Sequence, residues 1–140
     1  EIKEEYLTNP DQALEFVKAT GIDRLAVSVG NSHGISFNED KLQFERIANI
    51  KSKIGDLAVL VLHGGSGIPN EDIQKAVSLG ICKININTEL RIAFTDAFKK
   101  YFSDNSDETT PYKYLMAPIE AMEKVIESKI KIFGSENKVA

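Results

Sequence analysis

The chain has 140 residues, of which 42% are hydrophobic and 27% charged, values typical of an ordinary globular domain. No apolar run approaches the ~20 residues that a membrane-spanning helix needs, and the net charge of −4 includes no basic stripe that would follow a nucleic-acid backbone. We therefore expect neither a membrane nor a nucleic acid as a partner. The single cysteine, Cys82, excludes an internal disulfide and favours a reducing compartment, so we predict a cytoplasmic location.

The first predicted element is a helix from Pro10 to Thr20. Asn9 is suited to cap its N-terminus, Pro10 to occupy its first position, and Gly21 to form the left-handed exit. The predicted apolar face of this helix consists of Ala13, Phe16 and Val17.

Three short apolar segments, residues 24–30, 57–63 and 81–86, are predicted as strands. The middle segment is a short apolar run bounded by turn residues, which is typical of a strand buried on both faces. The other predicted helices cover residues 38–54, 69–79, about 88–101 and 118–133, with a polar loop over residues 103–110. Strands that recur every ~25–35 residues with helices between them predict right-handed crossovers and a parallel sheet, that is, an α/β fold.

Residues suited to bind ligands follow each predicted strand: His33-Gly34, then His63 with Gly64–Gly67, then Asn85–Thr88. In parallel α/β folds, ligands bind outside the carboxyl ends of the strands, which lie ~4.8 Å apart. The chain's two histidines can therefore approach one metal ion, although catalytic zinc takes three protein ligands. The glycine N–H groups and the helix N-terminus at Thr88 predict an anion site beside it.

Each of these motifs also has a plain structural explanation. A His-Gly pair is usually a turn, a glycine run a flexible loop, and Asn85–Thr88 a helix cap. Lys83, within an apolar strand, could be a Schiff-base nucleophile, but a structural lysine paired with a carboxylate is the favoured interpretation. We favour a binding site because it accounts for all three strand ends together.

Residues 25–34, 61–69 and 80–90 carry a resemblance to a known family. They are similar to the class II, zinc-dependent ketose-bisphosphate aldolases, whose members are (β/α)₈ TIM barrels. A whole barrel usually needs ~250 residues. The resemblance therefore implies that this chain is the C-terminal portion of one barrel domain, about three βα units plus terminal helices. We expect the N-terminal half of the barrel to be absent from residues 1–140.

The resemblance also implies a site. His33 and His63 would be two of the three ligands of Zn²⁺, with a monovalent cation as an optional second ion. The third histidine and the proton-transfer aspartate of the family lie on an earlier strand, and no Asp-His motif here matches them. No catalytic residue is therefore expected in this chain. The implied substrate-binding residues are Gly34, Gly64, Gly65, Ser66, Asn85, Ile86, Asn87 and Thr88.

The implied activity is reversible aldol cleavage of fructose 1,6-bisphosphate to dihydroxyacetone phosphate and glyceraldehyde 3-phosphate, a step of glycolysis and gluconeogenesis. Two alternatives stay open: a tagatose-bisphosphate aldolase, and a non-catalytic half-barrel that binds phosphate. The implied partners are a phosphorylated sugar, the N-terminal half of the barrel on the same or a separate chain, and further copies in a homo-oligomer. We expect the fragment alone to be inactive.

Overall fold

The computed structural model describes residues 3–31 and 41–138. The chain divides into two compact units, residues 1–86 and 87–140. Within the described residues, no helix is both long enough and apolar enough to cross a membrane.

The first unit contains a parallel sheet of three strands. These are β1 (Arg24–Val27), β2 (Val59–Leu62) and β3 (Ile81–Ile84), in the spatial order β1-β2-β3. The predicted α/β class and parallel sheet are thus confirmed. Each strand ends earlier than predicted, and the residues that follow it continue into loops at the carboxyl edge of the sheet.

Three α-helices accompany the sheet: α1 (Pro10–Thr20), α2 (Phe44–Ile54) and α3 (Asn70–Ser78), preceded by a 3-10 turn over Glu4–Tyr6. Helix α1 begins and ends as predicted, since the Asn9 side chain accepts hydrogen bonds from two backbone N–H groups and Gly21 has a φ of +64°. Phe16 is an error of the prediction, because its side chain is 50% exposed while Val17 is buried. Helix α2 begins at Phe44 rather than at residue 38, and residues 38–40 lie outside the described residues.

The two faces of the sheet differ in exposure. Leu60, Leu62 and Ile81 are at most 2% exposed and lie in the core with the apolar faces of the helices. On the opposite face, which we call the open face, Val61 aligns with Ala26 and Lys83. Ala26 and Lys83 are exposed, and Val59 is 38% exposed. The prediction that β2 is buried on both faces is therefore wrong at Val59, whereas Val61 on the same face is 5% exposed.

The second unit is helical, with α4 (Thr88–Asp104), α5 (Pro111–Tyr114) and α6 (Met116–Ile132). Helices α4 and α6 pack together, and Lys129 of α6 forms an ion pair with Glu89 of α4 at 2.7 Å. The apolar face of α4 is half-buried, and Phe98 and Phe102 of this helix form an aromatic cluster with Tyr114 of α5. Three apolar residues of α6 are 41–45% exposed: Ile119, Ile126 and Ile130. The short helix α5 was not predicted.

The polar loop between α4 and α5 is ordered around one carboxylate. Glu108 accepts hydrogen bonds from the backbone N–H groups of Thr109 and Thr110 and from Lys113 Nζ at 2.9 Å. The hydrogen bonds from Thr110 and Lys113 lower the pKa of Glu108 to about 2. The same contact with Glu108 raises the pKa of Lys113. The carboxylate thus joins the end of the loop to the first turn of α5.

Candidate active site

The centre of the candidate site is His63, the residue directly after β2. Strand β2 is the central strand of the sheet, so its last residue has a neighbouring strand on each side. Side chains alternate along a strand, which places His63 on the open face with Val61 and Val59. The imidazole is exposed although Leu62, next to it in the chain, is fully buried. The sequence therefore folds so that a rigid, buried strand presents one histidine at its carboxyl end.

Asn31 links the loop after β1 to this histidine by hydrogen bonds. Its side-chain Nδ2 donates hydrogen bonds to the carbonyl oxygen of His63 and, at 3.3 Å, to that of Gly64. The two carbonyl groups lie just beyond the sheet ladder and have a donor from the adjacent loop. Asn31 thus fixes the backbone direction at the point where the chain leaves β2.

Gly65 ties the same loop to β3. Its N–H group donates to the carbonyl oxygen of Asn85 at 3.0 Å. A Cβ atom at Gly65 would lie 2.5 Å from Ile84 Cγ2 and 3.0 Å from Ile86 Cδ1, far inside normal contact. The position therefore requires glycine because two backbones approach closely there. Because the Gly65 N–H group already donates to Asn85, what glycine provides here is the close approach of the loop to the residues after β3. Its predicted role as a hydrogen-bond donor to a phosphate stays a prediction.

Asn85 follows β3 and meets His63 across the edge of the sheet. Its Nδ2 lies 3.4 Å from His63 Nε2, and its Oδ1 accepts a hydrogen bond from Lys83 Nζ. The partner of Lys83 is thus an amide, not the carboxylate that the sequence interpretation favoured. Among the described residues, His63, Asn85 and Lys83 form a polar group on the open face.

The other predicted site residues are placed as follows. Ser66 is 5% exposed and lies in the loop after β2. Ile86 closes the first unit and lies against Gly65. Thr88 is the first residue of α4, and Asn87, rather than Thr88 as predicted, occupies the N-cap position. His33 and Gly34 lie outside the described residues.

Metal binding requires a suitable set of donors. Within residues 3–31 and 41–138, no three His, Cys, Asp or Glu side chains are grouped so that they could hold a metal ion. His63 fits one zinc ligand, because its imidazole is exposed at a strand end and imidazole nitrogen is a preferred donor for zinc. The second predicted ligand, His33, is not described. The donor set of the described part therefore fits part of a zinc site.

Two surface clefts of the first unit lie away from this group of residues. They have volumes of about 680 and 730 Å³ and share Arg46 in their lining. Neither is lined by His63 or Asn85. The candidate site is instead a surface patch on the open face of the sheet.

The fold and the site together define a class of protein. A parallel α/β sheet with ligand-type residues at the carboxyl ends of consecutive strands is found in βα-barrel enzymes and in open α/β sheets. The family model described as "Fructose-bisphosphate aldolase class-II" matches residues 1–138. The chain therefore belongs to the class II fructose-bisphosphate aldolase family, and it forms part of a TIM barrel.

Three solved structures show what the chain is similar to. The YdjI aldolase from Escherichia coli K12 is 42% identical, with a TM-score of 0.83 over 96% of this chain and 48% of that one. A putative fructose-1,6-biphosphate aldolase from Coccidioides immitis is 29% identical (TM-score 0.79, 94% and 45% covered). The fructose-bisphosphate aldolase from Campylobacter jejuni is 26% identical (TM-score 0.77, 93% and 45% covered). The chain thus spans about half the length of each, in the C-terminal part.

Sequence reasoning missed one residue of this site. Asn31 lies within the segment of residues 25–34 and has no predicted role, although it holds the backbone at His63 and Gly64. The signal was an asparagine one residue beyond a predicted strand end, where side-chain amides commonly satisfy backbone groups that have left a ladder. Only the structure identifies which carbonyl groups it reaches.

Proposed function

We propose that this chain is the C-terminal part of a metal-dependent aldolase that reversibly cleaves fructose 1,6-bisphosphate to dihydroxyacetone phosphate and glyceraldehyde 3-phosphate. The observation that carries the proposal is the position of His63 at the end of the central strand. There Asn85 lies 3.4 Å away and the glycine loop is tied to both neighbouring strands. Such a surface suits an anionic sugar phosphate that also reaches a metal ion.

In the proposed site, His33 and His63 hold a divalent metal ion, for which we propose Zn²⁺, with a monovalent cation as an optional second ion. The bound metal supplies Lewis acidity toward the substrate ketone. What this chain adds is placement, since β2 and the hydrogen bonds of Asn31 fix the backbone that carries His63. The third ligand and the aspartate that moves the proton belong to the rest of the barrel.

For the substrate phosphate, we propose contacts from Gly34, Gly64, Gly65, Ser66, Asn85, Ile86, Asn87 and Thr88. Support comes from the local geometry. Gly64 has no side chain that would hinder access to its backbone. Helix α4 begins at Thr88, and a helix N-terminus, with its N–H groups and positive dipole end, is suited to bind an anion. Lys83 adds a positive charge on the same face as His63. Within the first unit, the backbone donors of the glycine loop and the Lys83 cation are a suitable environment for a phosphate monoester.

The proposal includes partners. The open face, where Ala26 and Lys83 are exposed, is where the remaining strands of a single barrel domain would lie, on the same or a separate chain. We further propose a homo-oligomer. We also propose a cytoplasmic location, because a sequence with one cysteine suits a reducing compartment.

The test is an aldol-cleavage assay on the chain alone and on the chain combined with the five-strand half of a class II aldolase barrel. We expect cleavage of fructose 1,6-bisphosphate only in the combined sample, and its loss in His63→Gln. The exposed Lys99→Met is a matched control that should keep the activity. Faster cleavage of tagatose 1,6-bisphosphate would reassign the substrate. Phosphate binding without cleavage of either sugar would contradict the proposal and favour a non-catalytic half-barrel.

A further inference from the structure

The register of β3 contains one extra residue. Ile81 pairs with Leu60 and Lys83 with Val61, so two residues of β3 advance while β2 advances by one. Cys82 is therefore the inserted residue of a β-bulge. With regular pairing, Lys83 would align with Leu62 on the buried face. The bulge instead brings Lys83 to the open face.

The same bulge sets the position of Asn85. Side chains two residues apart in an extended strand share a face, so Asn85 follows Lys83 onto the face that carries His63. The backbone N–H of Asn85 donates to the carbonyl oxygen of Leu62 at 3.0 Å, which continues the ladder beyond β3. The bulge thus brings Lys83 and Asn85 to the face of His63, whereas regular pairing would place both on the opposite face.

Lys83 determines which way the Asn85 amide faces. An ammonium group has three donors and no acceptor, so it binds the amide through Oδ1, as observed. The reversed amide would place donor against donor. The amide Nδ2 consequently faces His63 Nε2 at 3.4 Å. A nitrogen that faces an N–H donor acts as an acceptor, which leaves the proton of the neutral imidazole on Nδ1.

We propose that Lys83 is a positioning residue that acts through the Asn85 amide to fix the neutral tautomer of His63 with its proton on Nδ1 and its lone pair on Nε2. The lone pair that a metal ligand must offer is thereby held on a defined atom, where a metal ion would take the place of the Asn85 side-chain N–H group as its partner. The Asn85 N–H group beside it is the donor that a substrate oxygen would meet. The importance of this role rests on the proposed function, but its test requires neither substrate nor metal.

The test is long-range ¹H–¹⁵N NMR of the metal-free full chain at about pH 8.5, where imidazole in water is uncharged. The chain has two histidines, so the signals lost in His63→Gln are those of His63. We expect the Nδ1–H tautomer in the wild type. Lys83→Met, which keeps the length but removes the donor, should weaken this preference by about tenfold, the size of one modest hydrogen bond. Lys83→Arg should restore it, and Lys99→Met should leave it unchanged.

A second variant keeps the proposal falsifiable if Lys83→Met does not fold. Asn85→Asp retains an acceptor for Lys83 but presents oxygen to Nε2, so we expect the tautomer to reverse to Nε2–H. An Nε2–H wild type, or a tautomer that ignores both Lys83→Met and Asn85→Asp, would overturn the proposal. So would a covalent adduct on Lys83 after borohydride treatment with dihydroxyacetone phosphate, which would make Lys83 a nucleophile. If the cleavage assay fails but Lys83→Met still weakens the Nδ1–H preference of His63, only the proposed function is overturned.

Discussion

Gly65 shows how one residue without a side chain holds two strands together. It lies within hydrogen-bonding distance of Asn85, and any β-carbon there would overlap Ile84. Ile84 Cγ2 is attached directly to the β-carbon of its own residue, so it cannot swing away as the end of a long side chain would. The loop after β2 therefore keeps its position beside β3 only while residue 65 is glycine.

We predict that Gly65→Ala lowers the free energy of unfolding by about 1–3 kcal/mol, the usual cost of overpacking. The substitution should also shift the backbone amide resonances of Asn85 and Ile86. Gly21→Ala is the control for the chemical shifts. At its φ of +64°, alanine also costs about 1–2 kcal/mol, but its β-carbon meets nothing within 4 Å, so the Asn85 and Ile86 resonances should stay unchanged. Urea unfolding and NMR measure both effects. Unchanged stability and unchanged Asn85 shifts in Gly65→Ala would contradict the close approach.

At the scale of residues, the sequence predicted which residues follow the strands better than it predicted their contacts. His63 and Asn85 were expected at neighbouring strand ends, and the structure brings them within 3.4 Å. The amide partner of Lys83 was not foreseen, because it depends on a bulge that strand periodicity does not reveal. The role of Asn31 depends on which backbone groups leave the ladder, and that is decided by tertiary packing.

At the scale of elements, the loop between α4 and α5 has a pH-sensitive contact. The pKa of Glu108 is lowered from 4.5 to about 2 by hydrogen bonds from Thr110 and Lys113. A carboxyl group whose folded pKa is lowered stabilises the fold above its unfolded pKa and loses that contribution as the pH falls through the folded value. The stabilisation is therefore fully present at neutral pH and is lost between about pH 4.5 and pH 2.

We predict that Glu108→Gln lowers the melting temperature at pH 7, and that the difference from the wild type disappears as the pH falls from about 4.5 to about 2. Glutamine keeps the size of the side chain and removes its charge. Glu136→Gln, at an exposed position near the C-terminus, is the control and should have no such pH-dependent effect. Thermal unfolding followed by circular dichroism measures the difference. A constant difference across this pH range would show that the charge of Glu108 contributes nothing.

Element types followed from periodicity, whereas their ends did not. Helix α1 was predicted to the residue because Asn9 and Gly21 carry explicit capping chemistry. Helix α2 has no side-chain cap hydrogen bond at its start, and its predicted start was six residues too early. The exposed positions of α6 arise because a helical repeat of apolar residues does not show how much of that face a neighbour covers.

At the scale of the whole molecule, the exposure of the open face agrees with a partial barrel. It also supports the proposal that the remaining half of the barrel is a partner. Helices in a βα barrel cover the outside of the strands, and the inward face packs against the other strands. The open face of this sheet corresponds to the inward face of a barrel, and it exposes Ala26, Lys83 and part of Val59. The chain matches 45–48% of the length of its solved relatives. The sequence pattern predicted the sheet, but it could not show this exposure, because burial depends on which strands are present.

The central claim is that His63 holds a divalent metal required for aldol cleavage. The most direct measurement is the cleavage rate of the chain combined with a five-strand barrel half, before chelation, after chelation, and after zinc is restored. We predict that chelation abolishes cleavage and zinc restores it. His63→Gln should weaken zinc binding by more than about 100-fold, beyond the loss seen when only an outer-shell partner is removed. Cleavage that survives strong chelation and is lost in Lys83→Ala would contradict the account and make the lysine the reactive group.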